Sequence, residues 1–144
     1  MRVLFDTNIL ISSLLSPDKP GVIQTIVATI FRHSFTFLLP TEVADEFART
    51  VIRKKSLAKR VTVGHMEAAV TLLFAFSKIV PSVQHIPIVT RDAKDDYLLA
   101  YAKVGKADYL VTGDEDLLVL GSYEQIMIIT PATFLLVLRD KGLL

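Results

Sequence analysis

Short apolar runs rich in β-forming residues alternate along this chain with longer segments whose apolar residues recur at helical spacing, and that alternation admits few folds. Arg2–Phe5, Phe35–Leu39, Tyr109–Val111 and Ile126–Thr130 read as strands. Val22–Phe31, Glu42–Arg53, His65–Ser77 and Asp95–Gly105 read as helices, and Pro131 opens a last apolar helix as its first residue. Thr41 is expected to cap the second helix, and Gly105 to stand just past the end of the fourth. Ser16–Gly21 is a Pro/Gly/Asp-rich break. Between Ile79 and Val89, Pro81 and Pro87 leave room for at most one short strand, placed at Ile86–Val89 ahead of Asp92. Alternating β and α units predict an α/β fold: a mostly parallel central sheet with helices on both faces. No repeat, low-complexity tract or linker divides the 144 residues, so one domain over 1–144 is expected.

Composition excludes several function classes. With 51% hydrophobic and 22% charged residues the chain can build a real core. It has no cysteine, hence no disulfide framework and no thiolate zinc site, which suits a reducing cytoplasm. Met1–Leu15 is apolar, but Asp6 and Asn8 interrupt it and no basic segment precedes it, which argues against a signal peptide. No run of roughly 18 apolar residues is present, so no membrane span is expected. The net charge is only +1, yet it is unevenly spread. Arg49, Arg53, Lys54, Lys55, Lys59 and Arg60 fall in one acid-free stretch, while acids crowd Asp92–Asp116. A basic stretch beside an acidic pocket suits an enzyme that holds a polyanion by its phosphates and cuts it with a metal.

The acids stand where the strands run out: Asp6, the group Glu42/Asp45/Glu46, the group Asp92/Asp95/Asp96, and Asp114/Glu115/Asp116. All C-termini of a parallel sheet share one edge, so these side chains can converge on one crevice. Converging carboxylates repel and raise one another's pKa unless a cation neutralises them, which makes a divalent metal their natural occupant. An Asx turn or a helix cap explains Asp6-Thr7-Asn8 taken alone. It explains less well a second motif, Thr112-Gly113-Asp114-Glu115-Asp116, in which Gly113 lets the backbone turn sharply after another strand. In the fourth helix Asp95 shares a stripe with Leu99 and Ala102, whereas Asp96 points about 100° away, toward an expected more exposed face. Asp95 is therefore read as the ligand and Asp96 as a supporting or solvated group. Glu46 borders the apolar face of its helix, and Glu42 and Asp45 look more exposed. His33, His65 and His85 have no mutual metal-site spacing.

Taken in order, Leu4-Phe5-Asp6-Thr7-Asn8-Ile9-Leu10, Pro40 with Glu46-Phe47, Arg91-Asp92 with Asp95-Asp96-Tyr97-Leu98, and Val111-Thr112-Gly113-Asp114-Glu115-Asp116-Leu117 resemble PIN-domain ribonucleases, more narrowly VapC-like toxin components of toxin–antitoxin systems. The resemblance covers essentially the whole chain. It implies a Rossmann-like PIN fold, a Mg²⁺ or Mn²⁺ site and cleavage of single-stranded RNA. Carried over by position, the catalytic acids are Asp6, Glu46, Asp95 and Asp114; the metal ligands are Asp6, Asp95, Asp114 and Asp116; and Asn8, Thr7, Asp96 and Thr112 give polar support. Hard oxygen donors select Mg²⁺ or Mn²⁺, and a cation-acidified water would attack phosphorus in line with no covalent protein nucleophile. Arg49, Arg53, Lys54 and Lys55 would track the RNA backbone. Two other readings are a non-catalytic PIN-like module for RNA binding or assembly, and a metal-dependent phosphatase. The second lacks its Asp-x-Asp nucleophile pattern, because position 8 is Asn. A mean hydropathy of +0.47 and the run Phe134–Leu138 exceed what one buried helix face needs, which a homodimer or an antitoxin segment would absorb.

Overall fold

The computed structural model describes residues 1–15, 20–55 and 63–144. Positions 16–19 and 56–62 lie outside the described residues, with the side chains of Lys54, Lys55 and His65; the expected break at Ser16–Gly21 is described only at its end, and Lys59 and Arg60 not at all. The elements run β1 (Arg2–Phe5), α1 (Thr7–Leu15), α2 (Val22–Phe31), β2 (Thr36–Pro40), α3 (Thr41–Lys55), α4 (Val63–Ala75), β3 (Ser77–Val80), α5 (Ala93–Val104), β4 (Tyr109–Val111), α6 (Glu115–Leu118), β5 (Ser122–Tyr123), β6 (Ile126–Ile129) and α7 (Pro131–Asp140). The six strands form one sheet in the order β3-β2-β1-β4-β6-β5, parallel throughout except for the β5–β6 pair.

Consecutive residues of the central strands are buried, Val3, Leu4 and Phe5 in β1 and Phe37, Leu38 and Leu39 in β2, so both sheet faces are covered. The register aligns Val3 with Phe37 and Leu4 with Leu38, which sorts the two faces. On one, Phe5 packs against Phe35, Phe37 and Phe134 of α7 with ring centroids 5.7–5.9 Å apart. On the other, Gly105 at the end of α5 presses on Leu38 and Val80. A Cβ at Gly105 would stand 2.9 Å from Leu38 Cδ1 and 3.1 Å from the Tyr101 carbonyl. Glycine is there for this close approach, since its backbone is right-handed and Lys106 takes the left-handed turn instead.

Three local expectations change. Thr41 begins α3 and does not cap it; its hydroxyl donates to the Val80 carbonyl at 3.4 Å. The short strand of the Pro-containing region is β3, which takes in Ser77, and Ile86–Val89 is irregular. Pro87 lacks a donor, and the N–H groups of Val89 and Thr90 are drawn to Asp96 and away from any sheet. Among the described residues no helix is long and apolar enough to cross a membrane.

Candidate active site

Strand order places the site. β1 pairs with β2 on one side and β4 on the other, so the direction of winding reverses between β1 and β4, where an α/β sheet opens a crevice at its C-terminal edge. Phe5 is in register with Val111, so the residues that follow, Asp6 and Thr112, emerge side by side. The Asp6 N–H donates to the Val111 carbonyl at 2.9 Å. Thr112, fully buried, donates its hydroxyl to Asp6 Oδ2 at 2.9 Å and accepts from the Asp114 N–H at 3.0 Å, joining the two strand ends through one oxygen. Asp114 caps α6 by accepting from the Asp116 N–H at 2.9 Å, and Asp92 caps α5 by accepting from the Lys94 N–H.

Asp95, Asp114 and Asp116 each offer a carboxylate oxygen, and these oxygens lie within 4.8 Å of one another. Asp95 is buried, and its Oδ2 has no hydrogen-bond partner. Burial, reinforced by Asp114, Asp92 and Asp6, pushes the Asp95 carboxyl up to about 7. Burial also raises Asp6, against the opposing pull of the Thr112 hydroxyl and the Asn8 N–H, with Asp114 and Glu46 adding repulsion. An orphaned buried oxygen inside a group of carboxylates, with no cysteine in the chain, is the donor set of a hard divalent cation; the residues fit one.

A cavity of about 710 Å³ opens here, lined by Asp6, Thr7, Asn8, Glu46, Asp95 and Asp114 together with Arg49, Arg53 and the rings of Tyr97 and Tyr101. The structure thus gathers Asp6, Glu46, Asp95 and Asp114 around one opening and sets Asp116 in the three-carboxylate group beside it. Asp6 flanks that group, its oxygens engaged by Thr112 and Asn8. Glu46 is half-buried and meets Lys94 at 3.3 Å. Asp45 is exposed, and Arg49 reaches back to its carbonyl. Glu42 is exposed at its rim yet tethered: the Tyr101 hydroxyl donates to Oε2 and Ser82 Oγ to Oε1, holding its carboxyl below the usual range.

Asp96 corrects the helical-stripe expectation. It is 5% exposed, and its Oδ1 accepts from the Val89 N–H, the Thr90 N–H and the Thr90 hydroxyl at 2.7–3.1 Å. Burial alone would raise its carboxyl, but these three donors outweigh burial and hold it low. Helix α5 is buried almost all round from Asp95 to Ala102, so no broad solvent face is left for Asp96. Arg91, Lys94 and Tyr101 hold acids of this region without a sequence signal that singles them out. Arg91 stood in the motif already quoted, next to Asp92, but its partner Asp116 lies 25 residues on.

A family model described as a PIN domain matches residues 2–116, from the start of β1 through Asp116. The chain belongs to the PIN domain family. No curated protein and no solved structure matches it. PIN domains are generally nucleases and typically use divalent metals, and the site of this PIN domain carries an acidic group able to hold one.

Proposed function

We propose that this PIN domain, one domain over 1–144, is a Mg²⁺- or Mn²⁺-dependent endoribonuclease of the VapC-like toxin type, hydrolysing phosphodiester bonds of single-stranded RNA. One observation carries the reading: the unpartnered, buried Asp95 Oδ2 within a three-carboxylate group, beside a cavity that also presents two arginines. Asp95, Asp114 and Asp116 would hold the ion, with Asp6 beside them. When bound, a divalent cation supplies Lewis acidity, acidifying a water and offsetting charge on the reacting phosphate. Asp6 is kept in place by Thr112 and Asn8, so its carboxylate is aimed before substrate arrives. Glu46, on the same wall, would orient water. Arg49 and Arg53 would take RNA phosphates. The same reading places the protein in the cytoplasm, as a homodimer or with an antitoxin segment covering exposed Leu136 of α7.

Substrate class tests this directly. Single-stranded RNA is cut with Mn²⁺ while a small phosphomonoester is left intact; release of inorganic phosphate from the monoester would instead favour the phosphatase alternative, and RNA binding without cleavage the non-catalytic module.

A second prediction concerns the arginines. Neutralising Arg49 and Arg53 together weakens RNA binding regardless of sequence and flattens its salt dependence by roughly 0.7 per lost phosphate contact. Turnover at saturating RNA changes little, because phosphate contacts position the strand and the acidic site breaks the bond. An unchanged salt slope assigns RNA to another surface.

A further inference from the structure

One cation already sits on the acidic group. Arg91, in the irregular segment before α5, turns the edge of its guanidinium onto Asp116: Nη2 donates to Oδ1 at 2.8 Å and Nε to Oδ2 at 3.1 Å. Both oxygens of Asp116 are engaged, so this is a fork-on-fork pair. The same carboxylate supplies an oxygen to the group with Asp95 and Asp114. A divalent ion in that group and the Arg91 fork therefore draw on the same carboxylate, and whichever Asp116 oxygen the ion takes already faces Arg91. The Arg91 side chain is 83% exposed, so its position rests on this pair and little packing would resist its moving. Lys94, in the first turn of α5, meets Glu46 through one ammonium contact at 3.3 Å and has no such fork.

We propose that Arg91 is an exchangeable counter-ion: it occupies Asp116 while the cation site is empty, yields Asp116 to the cation, and then takes a phosphate of the bound RNA strand. The three carboxylates repel one another, and Arg91 offsets one of them. A dication removes the excess negative charge that holds Arg91 there. The planar guanidinium then finds in a phosphate an anion of the same bidentate geometry. The second half of this sequence rests on the ribonuclease reading above; the competition for Asp116 does not.

The experiment is a calorimetric Mn²⁺ titration of the wild-type protein, Arg91→Gln and Arg91→Lys without RNA, followed by RNA cleavage at saturating Mn²⁺. Arg91→Gln binds Mn²⁺ more tightly, roughly three- to tenfold, the effect of removing one unit charge from beside a dication in a water-like dielectric. Its kcat/KM on RNA falls roughly ten- to a hundredfold, the cost of a lost charge-assisted pair of hydrogen bonds. Arg91→Lys keeps the charge and recovers part of both. An ion bound better and a strand cut worse is a combination that a merely structural surface pair does not give. Mn²⁺ affinity in Arg91→Gln equal to or weaker than wild type overturns the proposal. Tighter Mn²⁺ with undiminished cleavage overturns its phosphate half. Tighter Mn²⁺ in a protein whose wild type cuts no RNA supports the competition and overturns the ribonuclease reading instead.

Discussion

Replacing Asp95 by Asn abolishes RNA cleavage and stabilises the metal-free protein at neutral pH. The loss, about a hundredfold or more, follows from removing a charged ligand whose Oδ2 has no other partner. The gain follows from linkage. A carboxyl near 3.8 in the unfolded chain is pushed up to about 7 in the folded one, chiefly by burial and then by Asp114 and Asp92. Between those values the folded protein keeps a proton that the unfolded chain has released. Its stability is therefore fully present below about pH 4 and falls as pH rises toward about 7. A shift of that size corresponds to roughly 4 kcal/mol at full strength; water at the open site screens it to about 1–2 kcal/mol. Asn stays neutral, so this part of the fall disappears. Urea midpoints at about pH 5 and about pH 7.5, taken in chelator, check this: wild type loses stability between them and Asp95→Asn loses less, keeping only the smaller fall that the raised Asp6 carboxyl contributes. A parallel loss in both proteins would contradict the assignment.

Asp96→Ala has the opposite signature. Its carboxylate collects the Val89 N–H, the Thr90 N–H and the Thr90 hydroxyl, tying the irregular segment to the first turn of α5. Removal leaves the Val89 and Thr90 N–H groups unmet, the Thr90 hydroxyl keeping the Asp92 carbonyl at 2.8 Å, and costs about 2–4 kcal/mol. Because the Asp96 carboxyl is held low, its contribution is present above the ordinary carboxylate range and lost as pH falls through the folded value. The variant is destabilised at neutral pH, most visibly in chelator, and its Mn²⁺ affinity falls less than that of Asp95→Asn. Wild-type stability in Asp96→Ala would show that these hydrogen bonds are not formed in solution.

These neighbours on one helix show what a sequence discloses. Asp6 and Asp114 were legible because each follows a short apolar strand, and parallel strands deliver their C-terminal residues to one edge whatever the loops do. Asp95 was legible from its spacing to Leu99 and Ala102. Asp96 was not, because helical spacing describes one packing partner, whereas α5 has the sheet on one side and the Val89–Thr90 backbone held by Asp96 on another. β3 was misplaced for a related reason: Ile86–Val89 has the β-branched composition, but Pro87 and the claims of Asp96 on neighbouring N–H groups withdraw it from pairing. Two-residue β5 is too short to carry a period. The pairs Arg91–Asp116 and Tyr101–Glu42 join residues 25 and 59 positions apart, a separation at which only the folded chain identifies the partner.

RNA cleavage by this protein is expected to depend on carboxylates that hold a divalent cation. The most direct measurement is cleavage of a labelled single-stranded RNA by purified protein across a Mn²⁺ and Mg²⁺ titration, with an EDTA arm and Asp6→Asn prepared identically to expose trace nuclease. Wild-type protein should cut in proportion to ion occupancy, stop in EDTA and resume when the ion is restored, while Asp6→Asn stays folded and nearly inert. Equal cutting in chelator, or undiminished cutting by Asp6→Asn, would contradict the account.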